Sequence, residues 1–154
     1  MSHRLSLGLA LAASLLVSSL ALPASAGDFS KTYTFELDKW YELNSTDGPV
    51  TLHRVRLEKS GGGFTKLARM GGSSEYSAAI ELQLEYTNES TNDWDADVVV
   101  EWLDGKGEAI DGFRTEINLD EEDRHELKKS TLTTLRYGLD QARKVRIEIR
   151  TNPE

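Results

Sequence analysis

The chain has 154 residues, no cysteine and a formal net charge of −8 at pH 7. An acidic surface disfavours binding to nucleic acid and to anionic membrane surfaces, because both are polyanions. Without cysteine the protein has no disulfide, so its fold depends on a hydrophobic core alone, and a chain of this length suffices for one such core. The composition therefore favours a single globular domain that does not bind nucleic acid.

The first 26 residues are predicted to be a cleaved secretory signal peptide. Arg4 precedes an apolar, uncharged run over residues 5–22, and Pro23 and three small residues follow it. These are the three parts of a signal peptide, and the small residues place the cut before Gly27. A membrane anchor is the alternative, but the run ends in a helix breaker with no cationic stop. Because extracellular animal domains more often carry disulfides, we expect a bacterial periplasmic or secreted protein whose residues 27–154 form one domain.

The first predicted strand follows Ser30 and alternates apolar and polar residues around Tyr33 and Phe35. The alternation changes parity at residues 38–39, so that Trp40 falls on the opposite face. Such a change predicts either a β-bulge or a move of the chain from one sheet to another.

A turn-forming cluster at residues 44–49 leads to a second predicted strand over residues 50–59. His53 shares the parity of the apolar residues in this strand whereas Leu52 does not, which predicts an irregularity near His53. His125 lies in a charged segment and is predicted to be exposed. For His53, a structural role in the core or at its rim is favoured over a role as a general base.

Residues 60–74, SGGGFTKLARMGGSS, carry glycines on both sides of a short amphipathic stretch. Flanking glycines disfavour regular structure, and unstructured loops of this length in compact domains are often functional. Phe64, Leu67 and Met70 fall three residues apart, so one helical turn could present them, with Arg69, to another protein. In the alternative, the three apolar residues cover an open end of their own domain.

Residues 80–104, IELQLEYTNESTNDWDADVVVEWLD, contain two alternating runs on either side of a polar link. Leu82 and Leu84 share a parity in the first run, and Val98 and Val100 share one in the second. Because the link is rich in turn-forming residues, the two runs are predicted to be the central pair of an antiparallel sheet.

This region resembles the FxLYD-type bacterial extracytoplasmic domains. In those domains a first strand ends in Asn-x-Ser/Thr, which is Asn88-Glu89-Ser90 here. A second strand then ends in three consecutive positions, an aromatic residue followed by Leu or Tyr and then by Asp, before a glycine turn. The second strand closes here in Trp102-Leu103-Asp104-Gly105. The chain departs from the pattern, with Val100 in place of the leading Phe and Leu103 in place of Tyr. The resemblance implies an immunoglobulin-like accessory domain and assigns no catalytic residue.

The rest of the chain also reads as strands. Residues 104–108 predict a hairpin turn, and Gly112 predicts a bulge in the strand that follows. A further strand is predicted from His125 to about Thr133, then a turn or short helix, and alternation over residues 145–149 predicts a closing strand. The fold class that follows is an antiparallel immunoglobulin-like β-sandwich of about seven strands with at most one short helical turn.

Three carboxylates are a candidate calcium site. Asp93, Asp95 and Asp97 alternate along the chain, so that on a strand all three would share a face, and calcium prefers oxygen ligands. The sixth position of a calcium loop needs glycine and is Val98 here, and the later half of the loop is a predicted strand. A polar flank at the start of a strand is therefore the favoured interpretation.

Catalytic residue types are scarce. There is no cysteine nucleophile and no Gly-x-Ser-x-Gly motif, and the two histidines of residues 27–154, without thiols, are too few for the three or four ligands of a zinc site. For ligand binding, Trp40, Tyr41 and Trp94 are candidate stacking residues, with packing in the core as the alternative.

The sequence thus favours a non-enzymatic accessory domain of the bacterial envelope, without a cofactor or a stable membrane insertion. Its predicted partner is another envelope or secreted protein, bound through the 60–74 loop or through strand addition at a sheet edge. The alternative is a β-sandwich module that binds a small ligand, a carbohydrate or calcium.

Overall fold

A computed structural model describes residues 27–60 and 75–154. The predicted signal peptide and the predicted contact residues Phe64, Leu67, Arg69 and Met70 lie outside the described residues. The described residues form eight strands and one short helix: β1 (Gly27–Thr34), β2 (Trp40–Asp47), β3 (Val50–Lys59), β4 (Ser77–Asn88), β5 (Trp94–Leu103), β6 (Ala109–Leu119), β7 (Glu126–Leu135), α1 (Arg136–Gln141) and β8 (Lys144–Pro153).

The strands form two four-stranded antiparallel sheets. One has the order β1-β8-β5-β6, and the other has the order β2-β3-β4-β7. An all-β antiparallel sandwich is therefore confirmed, with eight strands rather than about seven and with one short helix.

The core lies between the sheets and is built from alternate residues of the central strands. The side chains that are fully buried share one parity on each strand: Ile80, Leu82, Leu84 and Tyr86 on β4, Val98, Val100 and Trp102 on β5, and Val145, Ile147 and Ile149 on β8. Burial of one such side chain stabilises the fold by about 1.5–3 kcal/mol. The period-2 pattern of the sequence therefore identifies the inner faces correctly.

The predicted pairing of the two runs in residues 80–104 is wrong. β4 pairs with β3 and β7, whereas β5 pairs with β6 and β8, so the polar link of residues 89–93 crosses from one sheet to the other. The Nδ2 amide of Asn88 donates to the carbonyl oxygens of Asn92 and Leu119, each over 3.0 Å, which holds the crossing in place. Turn-forming residues predict a reversal but do not reveal whether it joins neighbours within a sheet or spans the two sheets.

The predicted irregularities occur for identifiable reasons. β1 and β2 lie in different sheets, so the parity change before Trp40 marks a move between sheets, and Asp38 has a φ of 62° there. The pairing of β3 with β4 shifts register between Leu52 and Arg54, as the parity around His53 predicts. Both predictions are confirmed.

Two strand boundaries and the position of one bulge differ from expectation. β1 begins at Gly27 rather than after Ser30, because it pairs with β8 over its whole length. The bulge of β6 is at Ile110, which has no partner in the register with β5. Glycine is required at position 112 for a different reason: a Cβ there would clash with the carbonyl oxygen of Val100, at 2.2 Å. The strand predicted to end near Thr133 reaches Leu135 before α1 begins.

Candidate functional site

One end of the sandwich, called here the polar end, consists of the turns at residues 48–49, 89–93 and 120–125 together with Tyr86 and Asn88. Asn88 is fully buried, and besides its two donated bonds its Oδ1 accepts from the main-chain N and the Oγ of Ser90, over 3.0 and 2.8 Å. A buried amide that makes all its hydrogen bonds is favourable, whereas an unpaired one is costly. The Asn-x-Ser triplet is therefore a structural clamp at the polar end.

Tyr86 makes a second clamp at the same end. Its hydroxyl donates to Asp123 Oδ2 over 2.7 Å and accepts from the main-chain N–H of Asp120 over 3.1 Å. Burial, together with the hydrogen bond to Asp123, raises the pKa of Tyr86 far above 10. The hydroxyl therefore stays protonated and keeps the turn before β7 attached to the core.

The opposite end, called here the aromatic end, consists of Glu75 and Tyr76 and of residues 135–140. Tyr76, Tyr137 and Leu135 expose 68%, 67% and 51% of their surface, the largest values among the described large hydrophobic residues. Together with Glu75, Arg136 and Asp140, they line an open depression of about 400 Å³. Exposed apolar side chains that cluster, rather than scatter, are typical of binding surfaces.

The aromatic end rests on a hydrogen-bonded base. The indole N–H of Trp102 donates to Thr134 Oγ1, and the Thr134 hydroxyl donates to Asp111 Oδ2, each over 2.7 Å. The same carboxylate oxygen accepts from the main-chain N–H of Leu135 over 2.7 Å. The carboxylate of Asp111 on β6 thus fixes the end of β7, where the exposed Leu135 lies.

Two histidines meet on the outer face of the sheet formed by β2, β3, β4 and β7. The rings of His53 and His125 stack with centroids 4.3 Å apart and planes inclined by 15°. The register shift of β3 turns His53 towards Thr87 on the same face on which Arg54 contacts Glu85. Two consecutive residues on one face are the usual consequence of a bulge.

Hydrogen bonds surround this pair. His53 Nε2 lies 2.8 Å from Thr87 Oγ1, which also accepts from the main-chain N–H of His125 over 3.1 Å. Glu85 joins His125 Nδ1, at 3.0 Å, to Arg54 Nε, at 2.5 Å. Burial acts to raise the pKa of Glu85, but the hydrogen bonds from His125 and Arg54 outweigh it and lower that pKa. Parity indicates the irregularity at His53, but nothing in the sequence indicates that His125 covers it.

The three candidate stacking residues do not form a common surface. Tyr41 and Trp94 are buried, and both belong to the core. The Tyr41 hydroxyl donates to the carbonyl oxygen of Glu36 over 2.6 Å, and burial raises its pKa. Trp40 is half-buried, and the guanidinium carbon of Arg54 lies 4.5 Å from the centroid of its ring. Only Trp40 therefore has exposed ring surface, and Arg54 already lies over it.

Two of the three candidate calcium ligands, Asp93 and Asp97, bond to different partners, and Asp95 lies on β5. Asp93 precedes β5, and its Oδ1 accepts from the main-chain N–H of Glu121 over 2.8 Å. Asp97 accepts from Arg114, whose hydrogen bond lowers the pKa of that carboxyl. Within residues 27–60 and 75–154, no group of three or more His, Asp or Glu side chains is arranged to hold a metal ion.

The open sides of the two sheets are bridged. On one side the hydroxyl of Tyr33 on β1 donates to the carbonyl oxygen of Glu42 on β2 over 2.6 Å, and on the other side Thr115 Oγ1 lies 3.2 Å from Ser130 Oγ. Lys31 faces inward on the edge strand β1, with its ammonium 5.0 Å from the ring centroid of Tyr33. Inward-facing charge is a known protection against strand addition, and Lys31 provides it for β1.

No protein-family model matches this chain, and no curated protein matches it. The resemblance to the FxLYD-type domains therefore stays a prediction. In the part of the chain that the structure describes, no helix is long and apolar enough to cross a membrane.

Proposed function

We propose that this protein is an exported, non-enzymatic accessory domain of the bacterial envelope that binds another protein through its aromatic end. The observation that carries the proposal is the cluster of Tyr76, Leu135 and Tyr137, which expose more than half of their surface at one place. Aromatic residues and arginine are enriched at protein interfaces, and residues of this kind contribute most of the binding energy.

The base beneath the cluster supports a binding role rather than a loose surface. Leu135 is fixed through its main-chain N–H to Asp111, and the main-chain N–H of Arg136 donates to the carbonyl oxygen of Tyr76 over 2.9 Å. A surface that is already ordered loses less conformational entropy when a partner binds. The predicted contact loop of residues 60–74 ends directly before Glu75, so both proposed contact regions are adjacent in sequence.

The charges around the cluster suggest the chemistry of the partner. Glu75, Arg136 and Asp140 line the same depression as the two tyrosines, and the chain as a whole is acidic. A partner segment with apolar side chains and a Lys or Arg would pair with Asp140 and pack on the tyrosine rings. We therefore expect binding that weakens as the salt concentration rises.

Site-specific photo-crosslinking tests the proposal. The full chain, with a tag at its C-terminus, is expressed for export with a photoreactive amino acid in place of Tyr137. The control carries the same amino acid in place of Glu116, which is exposed on the distant outer face of β6. We expect one discrete adduct from position 137, none from position 116, and a lower yield in a Tyr76→Ala background. Equal adducts from both positions, or none from 137, would contradict the proposal.

A small-ligand or carbohydrate-binding module is the second candidate function. It is favoured by the same depression, because two tyrosine rings bordered by carboxylates and a guanidinium are suited to stacking against a sugar ring and bonding its hydroxyls. Nuclear magnetic resonance titration with soluble oligosaccharides separates the two candidates. Shifts confined to Tyr76 and Tyr137 at millimolar sugar, without any protein adduct, would favour this second function.

A further inference from the structure

We propose that His53 and His125 form an acid-sensitive clasp: the two rings are stacked at neutral pH, and they separate in acid. The clasp lies on the outer face of the sheet and is distinct from the aromatic end. The inference rests on the stacking distance, on the shared contacts with Thr87 and Glu85, and on the backbone conformation of His125.

The closed arrangement holds His125 in an unfavourable backbone conformation. The φ of His125 is 52°, in the left-handed region that residues other than glycine adopt at a cost. The contacts that offset this cost are the ring stack on His53, the main-chain bond to Thr87 and the bond from Nδ1 to Glu85. Loss of the stack therefore removes one of the three contacts that hold His125 in place.

The charges that face the stack are of both signs. The groups that face His53 are Glu42 on β2, Arg54 on β3, Glu85 on β4 and His125 before β7. Glu85 is the carboxylate that contacts His125, but it is shared with Arg54. If both rings were protonated, two positive rings would face each other with centroids 4.3 Å apart and would repel each other. The Glu85 carboxylate offsets this repulsion only in part, because Arg54 already neutralises some of its charge.

The pKa of His53 agrees with this geometry. Burial and the positive charge of His125 lower the pKa of His53 below 6.5, and Glu85 and Glu42, which act to raise it, do not outweigh them. Because an open ring in water has the higher pKa, a proton binds the open state more tightly than the closed one. The closed state is therefore fully favoured above about pH 6.5, and it loses that advantage as the pH falls towards the lowered pKa of His53.

Opening would stay local. The turn before β7 is also held by the Asp123 carbonyl oxygen, which accepts from Asn88 N over 2.8 Å, and by Tyr86. Separation of the rings would enlarge the open depression of about 400 Å³ that the two histidines border with Thr51, Thr87, Glu89 and Arg124. An exported domain would thereby present a different surface in acidic surroundings.

Nuclear magnetic resonance of the exported full chain tests the clasp at about pH 7.5 and about pH 5, on either side of the usual histidine pKa. The readouts are the ring-to-ring Overhauser contact between His53 and His125 and the exchange protection of the His125 amide, corrected for the intrinsic pH dependence. We expect the contact to vanish and the protection to fall several-fold in acid. The Asn88 amide, which bonds to Asp123, serves as an internal control and should stay protected at both pH values.

The variant His53→Gln separates protonation of this pair from other effects of acid. Glutamine retains a polar group for Thr87 but does not titrate, so the His125 amide should keep the same protection at both pH values. A ring contact that persists at pH 5, or an equal loss of protection in the variant, would overturn the proposal. Loss of Asn88 protection in the wild type would also overturn it, because the transition would then be unfolding rather than a local opening.

Discussion

At the polar end, the side chains of Asn88 and Tyr86 bond to the neighbouring turns from within the core, whereas at the aromatic end Tyr76, Leu135 and Tyr137 stand exposed above a buried network. At the polar end, the buried polar side chains make hydrogen bonds that hold the turns. At the aromatic end, hydrogen bonds hold the main chain of β7, and the side chains left exposed are apolar. The difference indicates that the polar end maintains the fold and that the aromatic end has exposed apolar surface available to a partner.

The strongest test of this difference is Asn88→Ala. The substitution removes four hydrogen bonds and leaves the carbonyl oxygens of Asn92 and Leu119 and the main-chain N of Ser90 without that partner. Because buried unpaired groups cost about 1–3 kcal/mol each, we expect a loss of about 3 kcal/mol in the free energy of unfolding. Urea denaturation measures it.

The matched control is Asn118→Ala, on the exposed surface of β6. We expect it to change the free energy of unfolding by less than about 0.5 kcal/mol. If the two alanine variants were equally stable, the clamp at Asn88 would not be what stabilises the polar end.

Thr134→Val tests the base of the aromatic end. Valine has a similar shape but no hydroxyl, so the buried indole N–H of Trp102 loses its acceptor and Asp111 loses one donor. We expect the free energy of unfolding to fall by about 2 kcal/mol. Thr133→Val, one residue earlier and exposed, is the control and should be nearly neutral. Equal effects of the two valines would mean that the network contributes nothing beyond its shape.

Tyr86→Phe returns to the polar end with a smaller change. The phenyl ring stays buried, but the bonds to Asp123 and to the Asp120 N–H are lost, so we expect a decrease of about 1 kcal/mol at neutral pH.

The same variant has an alkaline signature. Because the folded-state pKa of Tyr86 is raised above 10, its contribution to stability is complete below about pH 10 and is lost as the pH rises above that value. Thermal denaturation of the wild type and of Tyr86→Phe between about pH 8 and pH 11 should therefore converge at the alkaline end. Parallel pH profiles would show that the hydroxyl is not held in its protonated form.

The sequence predicts the fold better than it predicts the site. Parity identifies the buried faces of β4, β5 and β8 and the irregularities at Asp38 and His53, because alternation is a local property of a strand. It does not predict that β4 and β5 lie in different sheets. The contacts that accompany the crossing join residues distant in the sequence, as the bond from Asn88 to the carbonyl oxygen of Leu119 does.

The observed clusters differ from the candidates chosen from the sequence for the same reason: clusters depend on contacts between residues that are distant in the sequence. The sequence makes Trp94 and Tyr41 candidate stacking residues, yet both are in the core, because a large aromatic ring carries no local sign of whether a second sheet covers it. Tyr76 and Tyr137 line one depression because Ser77 pairs with Leu135 in the sheet. The stack of His53 on His125 likewise depends on strand pairing between β3, β4 and β7.

The smallest expected effect on stability belongs to Tyr137→Ala. The side chain is two-thirds exposed, and it lies outside the network that joins Trp102, Thr134 and Asp111. We expect the free energy of unfolding to change by less than about 0.5 kcal/mol, although the same substitution should abolish binding at the aromatic end. Urea denaturation of Tyr137→Ala beside Thr134→Val makes the test, because the two residues are three positions apart. If Tyr137→Ala were as unstable as Thr134→Val, the exposed ring would be part of the fold, and the aromatic end would no longer be a surface available to a partner.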